Sequence, residues 1–108
     1  MSRLISDHFG YLCHLSHCSP HQRTLLLTTA TPEQVHALCE VCLNLSKGKI
    51  PLSHEQKERL RGHVDDIRDL ADPSVSFKNK KQILSQQGGS FVGDVLSPLM
   101  SALSLFLL

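Results

Sequence analysis

The reading of the fold turns on residues 31–72, TPEQVHALCEVCLNLSKGKIPLSHEQKERLRGHVDDIRDLAD. Thr31 precedes a proline and has Gln34 three residues on, a capping box that starts a helix with Pro32 at its first position. Val35, Leu38, Cys39, Cys42, Leu43 and Leu45 then recur at helical spacing as far as Lys47. Gly48 fits the left-handed stop just past the helix end, and Lys47 suits the negative end of the dipole. Ser53 with Gln56 repeats the capping box and opens a second long helix, with Glu55 at its positive end. Leu60, Val64, Ile67, Leu70 and Ala71 make its apolar stripe. Lys57, Glu58, Arg61, Asp65, Asp66 and Asp69 take the wet face, Gly62 loosens the middle, and Asp72-Pro73 ends it.

Working outward, Leu4, Ile5, His8, Phe9, Leu12 and Leu15 predict a helix over residues 3–17, ended by Ser19-Pro20, and a short helix follows over 21–29. Ser74 or Ser76 can cap a fifth helix with Phe77, Ile83 and Leu84 toward the core. No useful strand alternation appears. The expected fold is all-α, a small orthogonal bundle of about five helices with an apolar C-terminal helix. The domain expectation is a bundle over 1–87, then a Gly88-Gly89 hinge and hydrophobic tail over 88–108. Twelve apolar residues lie between Phe91 and Leu108. The uncharged run from Val95 is only 14 residues, short of the about 20 that a membrane-spanning helix needs. Such a surface has to be covered by the bundle, a partner chain or lipid, and Phe91, Val95, Leu96, Leu99, Leu103 and Phe106 are the candidate membrane or partner contacts.

Composition excludes much. The chain has 108 residues, a formal charge of +1, 19% charged and 5% aromatic residues and no Trp, so one globular domain with no stacking platform for single strands is expected. The charge is unevenly spread. Residues 1–46 balance at −1, residues 47–81 at +3, and only Asp94 is charged beyond 82. Candidate nucleic-acid contacts are Lys47, Lys49, Lys57, Arg61, Lys78, Lys80 and Lys81. Six interleaved acids hold any such binding to a weak, nonspecific kind. No basic region leads the first apolar residues, so the expected setting is cytosolic synthesis with reduced thiols.

Cys39-x-x-Cys42, with Cys13 and Cys18, has zinc-like spacing, but the pair falls mid-helix among leucines, where a thiol behaves as a small hydrophobe. No metal and no cofactor are therefore expected. Cys13 beside His14, and His17 beside Cys18, are neighbours that point about 100° apart on a helix, so no catalytic pair and no enzyme are expected. His8 and His36 are the histidines expected to be partly buried.

Taken together, Thr31-Pro32-Glu33-Gln34, Leu38-Cys39-Glu40-Val41-Cys42-Leu43-Asn44, Gly48-Lys49-Ile50-Pro51-Leu52-Ser53, Leu70-Ala71-Asp72-Pro73-Ser74-Val75-Ser76, Lys80-Lys81 and Gln87-Gly88-Gly89 before an apolar tail carry a resemblance. In this order they resemble a small virion protein of Polintons and adintoviruses, itself similar to the adenovirus core protein X precursor. The resemblance implies a non-enzymatic virion or core component, packed inside a capsid with other virion proteins and touching genomic DNA. It also implies processing at Gly88, Gly89 and Ser90 by an adenovirus-type cysteine protease, and a place in the virion after synthesis in the host nucleus or cytoplasm. Self-association or membrane contact through the tail belongs to the same expectation. A small helical protein–protein interaction module with a membrane-associating tail is the alternative.

Overall fold

The computed structural model describes residues 3–107, without the side chains of 87–89 and 103–107. Seven helices account for the described chain, with no strand: α1 (Arg3–Asp7), α2 (Phe9–His17), α3 (Pro20–Thr28), α4 (Pro32–Ser46), α5 (His54–Arg61), α6 (Val64–Ala71) and α7 (Phe77–Leu107). The all-helical expectation holds, and two breaks and one fusion turn the expected five helices and apolar C-terminal helix into seven.

The caps form as their residues dictate. Thr31 and Ser53 each accept from the N–H three residues on, at 3.2 and 3.1 Å, and Gln34 and Gln56 reach back to the cap N–H at 2.9 Å. Ser19 and Gln22 make a third such box at the start of α3. Gly48 stops α4 at φ +70°, with Gly48 N–H bonded to Leu45 and Lys49 N–H to Asn44, the Schellman arrangement.

The first break lies at His8, and it is shallow, since His8 N–H still donates to Leu4 O and its carbonyl accepts from Leu12. Bending there lets α1 lie on α4 while α2 lies on α7. The second lies at Gly62-His63, where α5 turns into α6. The elbow sends α5 along α7 and α6 along α4, which one straight helix could not do.

The fusion changes the architecture most. Backbone helix runs from Phe77 to Leu107, so Gly88-Gly89 sits within α7 instead of forming a hinge. Phe91, Val92, Val95, Leu96 and Leu99 are 0–3% exposed and belong to the same core as Leu12, Leu15, Leu27 and Leu38. The expected division into a bundle over 1–87 and a separate tail is thus replaced, for the described residues, by one core with α7 at its centre. Two helical glycines cost about 1 kcal/mol each. Burying a Phe or Leu gains about 1.5–3 kcal/mol, so five such side chains outweigh that cost. Pro98 lies inside α7 and is buried; lacking an N–H, it leaves the Asp94 carbonyl without its usual helical donor.

The core of α4 to α6 keeps Leu38, Leu60, Ile67 and Leu70 as expected, whereas Leu43 is half-buried and Val64 stands 47% exposed. Phe77 is exposed and meets His36 edge-on at 5.7 Å, so neither joins the interior as expected.

One buried charge fixes how α7 seats. Arg23, 7% exposed on α3, donates from Nε to Leu15 O and from Nη2 to Ser16 O at 3.3 Å and Cys18 O at 2.9 Å, covering the carbonyl end of α2. Its guanidinium lies against Gly93 of α7, where a Cβ would fall 2.6 Å from Nη1. A Gly-to-Ala change inside a helix ordinarily gains about 0.5–1 kcal/mol. Gly93→Ala is expected to do the opposite and cost about 1–3 kcal/mol in urea unfolding, because the guanidinium can move aside only by giving up its bonds to the carbonyls of α2. A stabilised Gly93→Ala protein would show that Arg23 does not occupy this seat.

Candidate functional site

Two clefts of the described surface set charged residues beside apolar ones. The first, about 460 Å³, is a groove where the end of α4 and the loop after it meet α5 and α6. Leu45, Leu52, Leu60, Val64 and Ile67 make its floor, and Lys57, Arg61 and Arg68 stand around it. The second, about 550 Å³, lies between α1, α4, the end of α6 and the start of α7, with Leu4, Cys39, Leu43 and Leu70 inside and His36, Glu40, Lys47 and Lys80 toward solvent.

These clefts sort the residues that sequence reading marked for nucleic acid. Lys47 and Lys80, distant in sequence, border one cleft, and Lys57 with Arg61 border the other. Lys49 follows the stop of α4 and is exposed, while Lys78 and Lys81 occupy the first turns of α7. Ion pairing divides the cations by type. Arg3, Arg59, Arg61 and Arg68 pair with carboxylates three or four residues away. None of the six lysines makes an ion pair among the described residues. Beside Lys80, the Asp72 carboxyl is held below its ordinary range by the Ser74 N–H and hydroxyl.

The other expected residues are placed differently. Ser90 is exposed on helical backbone; Gly88 and Gly89 are helical, and nothing beyond their backbone is described. Phe91, Val95, Leu96 and Leu99, expected as membrane or partner contacts, are covered by the chain itself, the first of the three expected ways of covering them. The side chains of Leu103 and Phe106 lie outside the described residues. No helix, among the described residues, is long and apolar enough to cross a membrane.

The thiols separate by depth. Cys42 is fully enclosed and Cys39 nearly so, and burial pushes both thiols up, against the small opposing pull of Lys80. Near the surface, the i, i+4 pair Cys13 and His17 comes together, which the nearest-neighbour reading overlooked. His17 Nδ1 is 2.8 Å from the Cys13 carbonyl and 3.7 Å from its Sγ. A carbonyl only accepts, so Nδ1 carries the proton and cannot take one from the thiol. No group of three or more His, Cys, Asp or Glu able to hold a metal occurs among the described residues.

Sequence reading also missed the third cation of the groove. Positions 57, 61, 64 and 68 recur at the helical spacing of four, three and four, yet Val64 read as core and Arg68 was not among the candidate contacts. At the opposite side of the elbow, His63 Nε2 lies 3.4 Å from Asp94 Oδ2 and its ring meets Phe91 edge-on at 5.0 Å, locking the turn between α5 and α6 onto α7. Compared with protein-family models, curated proteins and solved structures, the chain matches none.

Burial of acids in their protonated form makes stability depend on alkaline pH. Cys39 and Cys42 rise from an ordinary value of 9.0, and burial followed by the nearby Cys18 pushes Tyr11 from 10.0 to about 12. A raised folded value means that the contribution is intact below the unfolded value and is lost above it. The urea midpoint should therefore hold from pH 7 to about 8.5 and fall from about pH 9 upward. The fall should be smaller in Cys42→Ala, measured against that variant's own midpoint at pH 7. An unchanged midpoint at pH 10 would contradict the buried thiols.

Proposed function

We propose that the chain is a non-enzymatic virion structural protein of the Polinton and adintovirus kind, a closed helical piece that packs inside a capsid and makes weak, nonspecific contact with the genome. The observation supporting it is the set of six lysines that make no ion pair among the described residues, of which Lys47 and Lys80 converge on one cleft and Lys49, Lys78 and Lys81 flank them in the chain. Arg3, Arg59, Arg61 and Arg68 each share their charge with a nearby carboxylate, so the lysines are the cations that a phosphate meets with no pair to displace. A polyanion needs only clustered positive charge, with no fixed spacing, so this arrangement suits DNA of any sequence. In this role the protein's working surface is its folded exterior. The alternative, an interaction module with a membrane-associating tail, keeps the module and loses the described part of the tail to the core.

Duplex DNA of random sequence, titrated with the full chain at 50 and 200 mM salt, tests the reading. About three phosphate contacts predict an affinity loss of about 40-fold across that range. Lys47→Glu/Lys80→Glu/Lys81→Glu should weaken binding at low salt by at least tenfold and flatten the salt dependence. Binding that ignores both salt and this triple change would overturn the genome contact.

A further inference from the structure

We propose that the groove between α4, α5 and α6 is a docking site for an acidic amphipathic helix of a partner protein. The inference goes beyond the DNA reading and shares only Lys57 with the residues that support it.

The floor comes first. Leu60 and Ile67 are 6% and 8% exposed, and Val64 between them is 47% exposed, an apolar side chain left in water at the first residue of α6. With Leu45 and Leu52 beside them, they form a cleft of about 460 Å³, within the about 300–1,000 Å³ typical of ligand clefts. It runs along two helices, and a helix laid into such a groove presents its anchors at i, i+3 or i+4, and i+7.

The rim then selects the occupant. Lys57, Arg61 and Arg68 line the groove and no acidic side chain does. Lys57 makes no ion pair among the described residues, and Arg61 and Arg68 hold Glu58 and Asp65 at 3.0 and 3.9 Å through exposed neighbours on their own helices. Exposed pairs of that kind are weak and exchange readily for carboxylates on an incoming chain. A second copy docking by the same face would bring two such cationic rims together, so like charge disfavours the symmetric dimer. An apolar stripe flanked by Glu and Asp satisfies floor and rim at once.

The test uses a fluorescein-labelled 18-residue peptide with Leu at helical a and d positions and Glu elsewhere, titrated into the full chain and read by anisotropy. Controls are the same peptide with Lys for Glu, and a scramble of identical composition without an apolar face. The acidic amphipath should bind saturably, and both controls at least tenfold more weakly. Val64→Asp places a carboxylate at the start of α6, where the dipole favours it, so the fold should be kept, as circular dichroism checks. It should reduce peptide binding at least tenfold and leave DNA retention through Lys47 and Lys80 unchanged. Lys57→Glu/Arg61→Glu should do the same to the peptide. Equal binding of scramble and amphipath, binding unaffected by either variant, or laurate filling the groove while the acidic peptide does not would each overturn the proposal. Concentration-dependent dimerisation abolished by Val64→Asp would overturn it in favour of a second copy.

Discussion

A buried guanidinium bonded to the carbonyl end of a helix holds the molecule in register. Arg23 is buried where a cation is expensive, and the groups that offset the cost are carbonyls at the C-terminal end of α2, where the helix dipole is negative. Those carbonyls need donors in any case, so cation and helix end satisfy one another. The arrangement works only if the helix crossing above it leaves room, and Gly93 leaves it. One residue along, Asp94 turns toward His63 and the α5–α6 elbow. Sliding α7 by one position would place Val92 or Asp94 over the guanidinium, so this contact seats α7 against α2 and α3 while the His63 contacts seat it against the elbow.

From that seating follows the fate of the apolar C-terminal segment. A hydrophobic helix with no polar face carries no periodicity to say which side is inward. With α2 and α3 on one side and α4 to α6 on the others, α7 from 91 to 99 becomes the centre of the core, and the surface available for function shifts to the helices around it.

Local signals in the sequence were legible where one residue decides the outcome. Thr31 with Gln34, Ser53 with Gln56, and Gly48 after Lys47 each specify a helix end through hydrogen bonds within five residues. What escaped depends on contacts between distant residues. Gly88-Gly89 reads locally as a hinge, and only the burial of residues beyond it makes the helix worth continuing. Nothing local to Arg23 marks it as buried, and Gly93, which it lies against, is 70 residues away in the chain. Val64 reads as core because its spacing from Leu60 and Ile67 is helical, but the elbow at Gly62 turns it to the groove. At the candidate site, four of the expected cations were placed on two clefts, and Arg68 was missed because its partners in the groove lie across that same elbow.

The central claim, that residues 91–99 are core and not a detachable tail, is tested most directly by native-state hydrogen exchange of the full chain. If α7 seats as described, the amides of Val92, Val95 and Leu96 should exchange only through global unfolding, with the same opening free energy and denaturant dependence as Leu38, Val41 and Cys42 in α4. Exchange at Val92, Val95 and Leu96 that is orders of magnitude faster, through a local opening that leaves α4 protected, would contradict it.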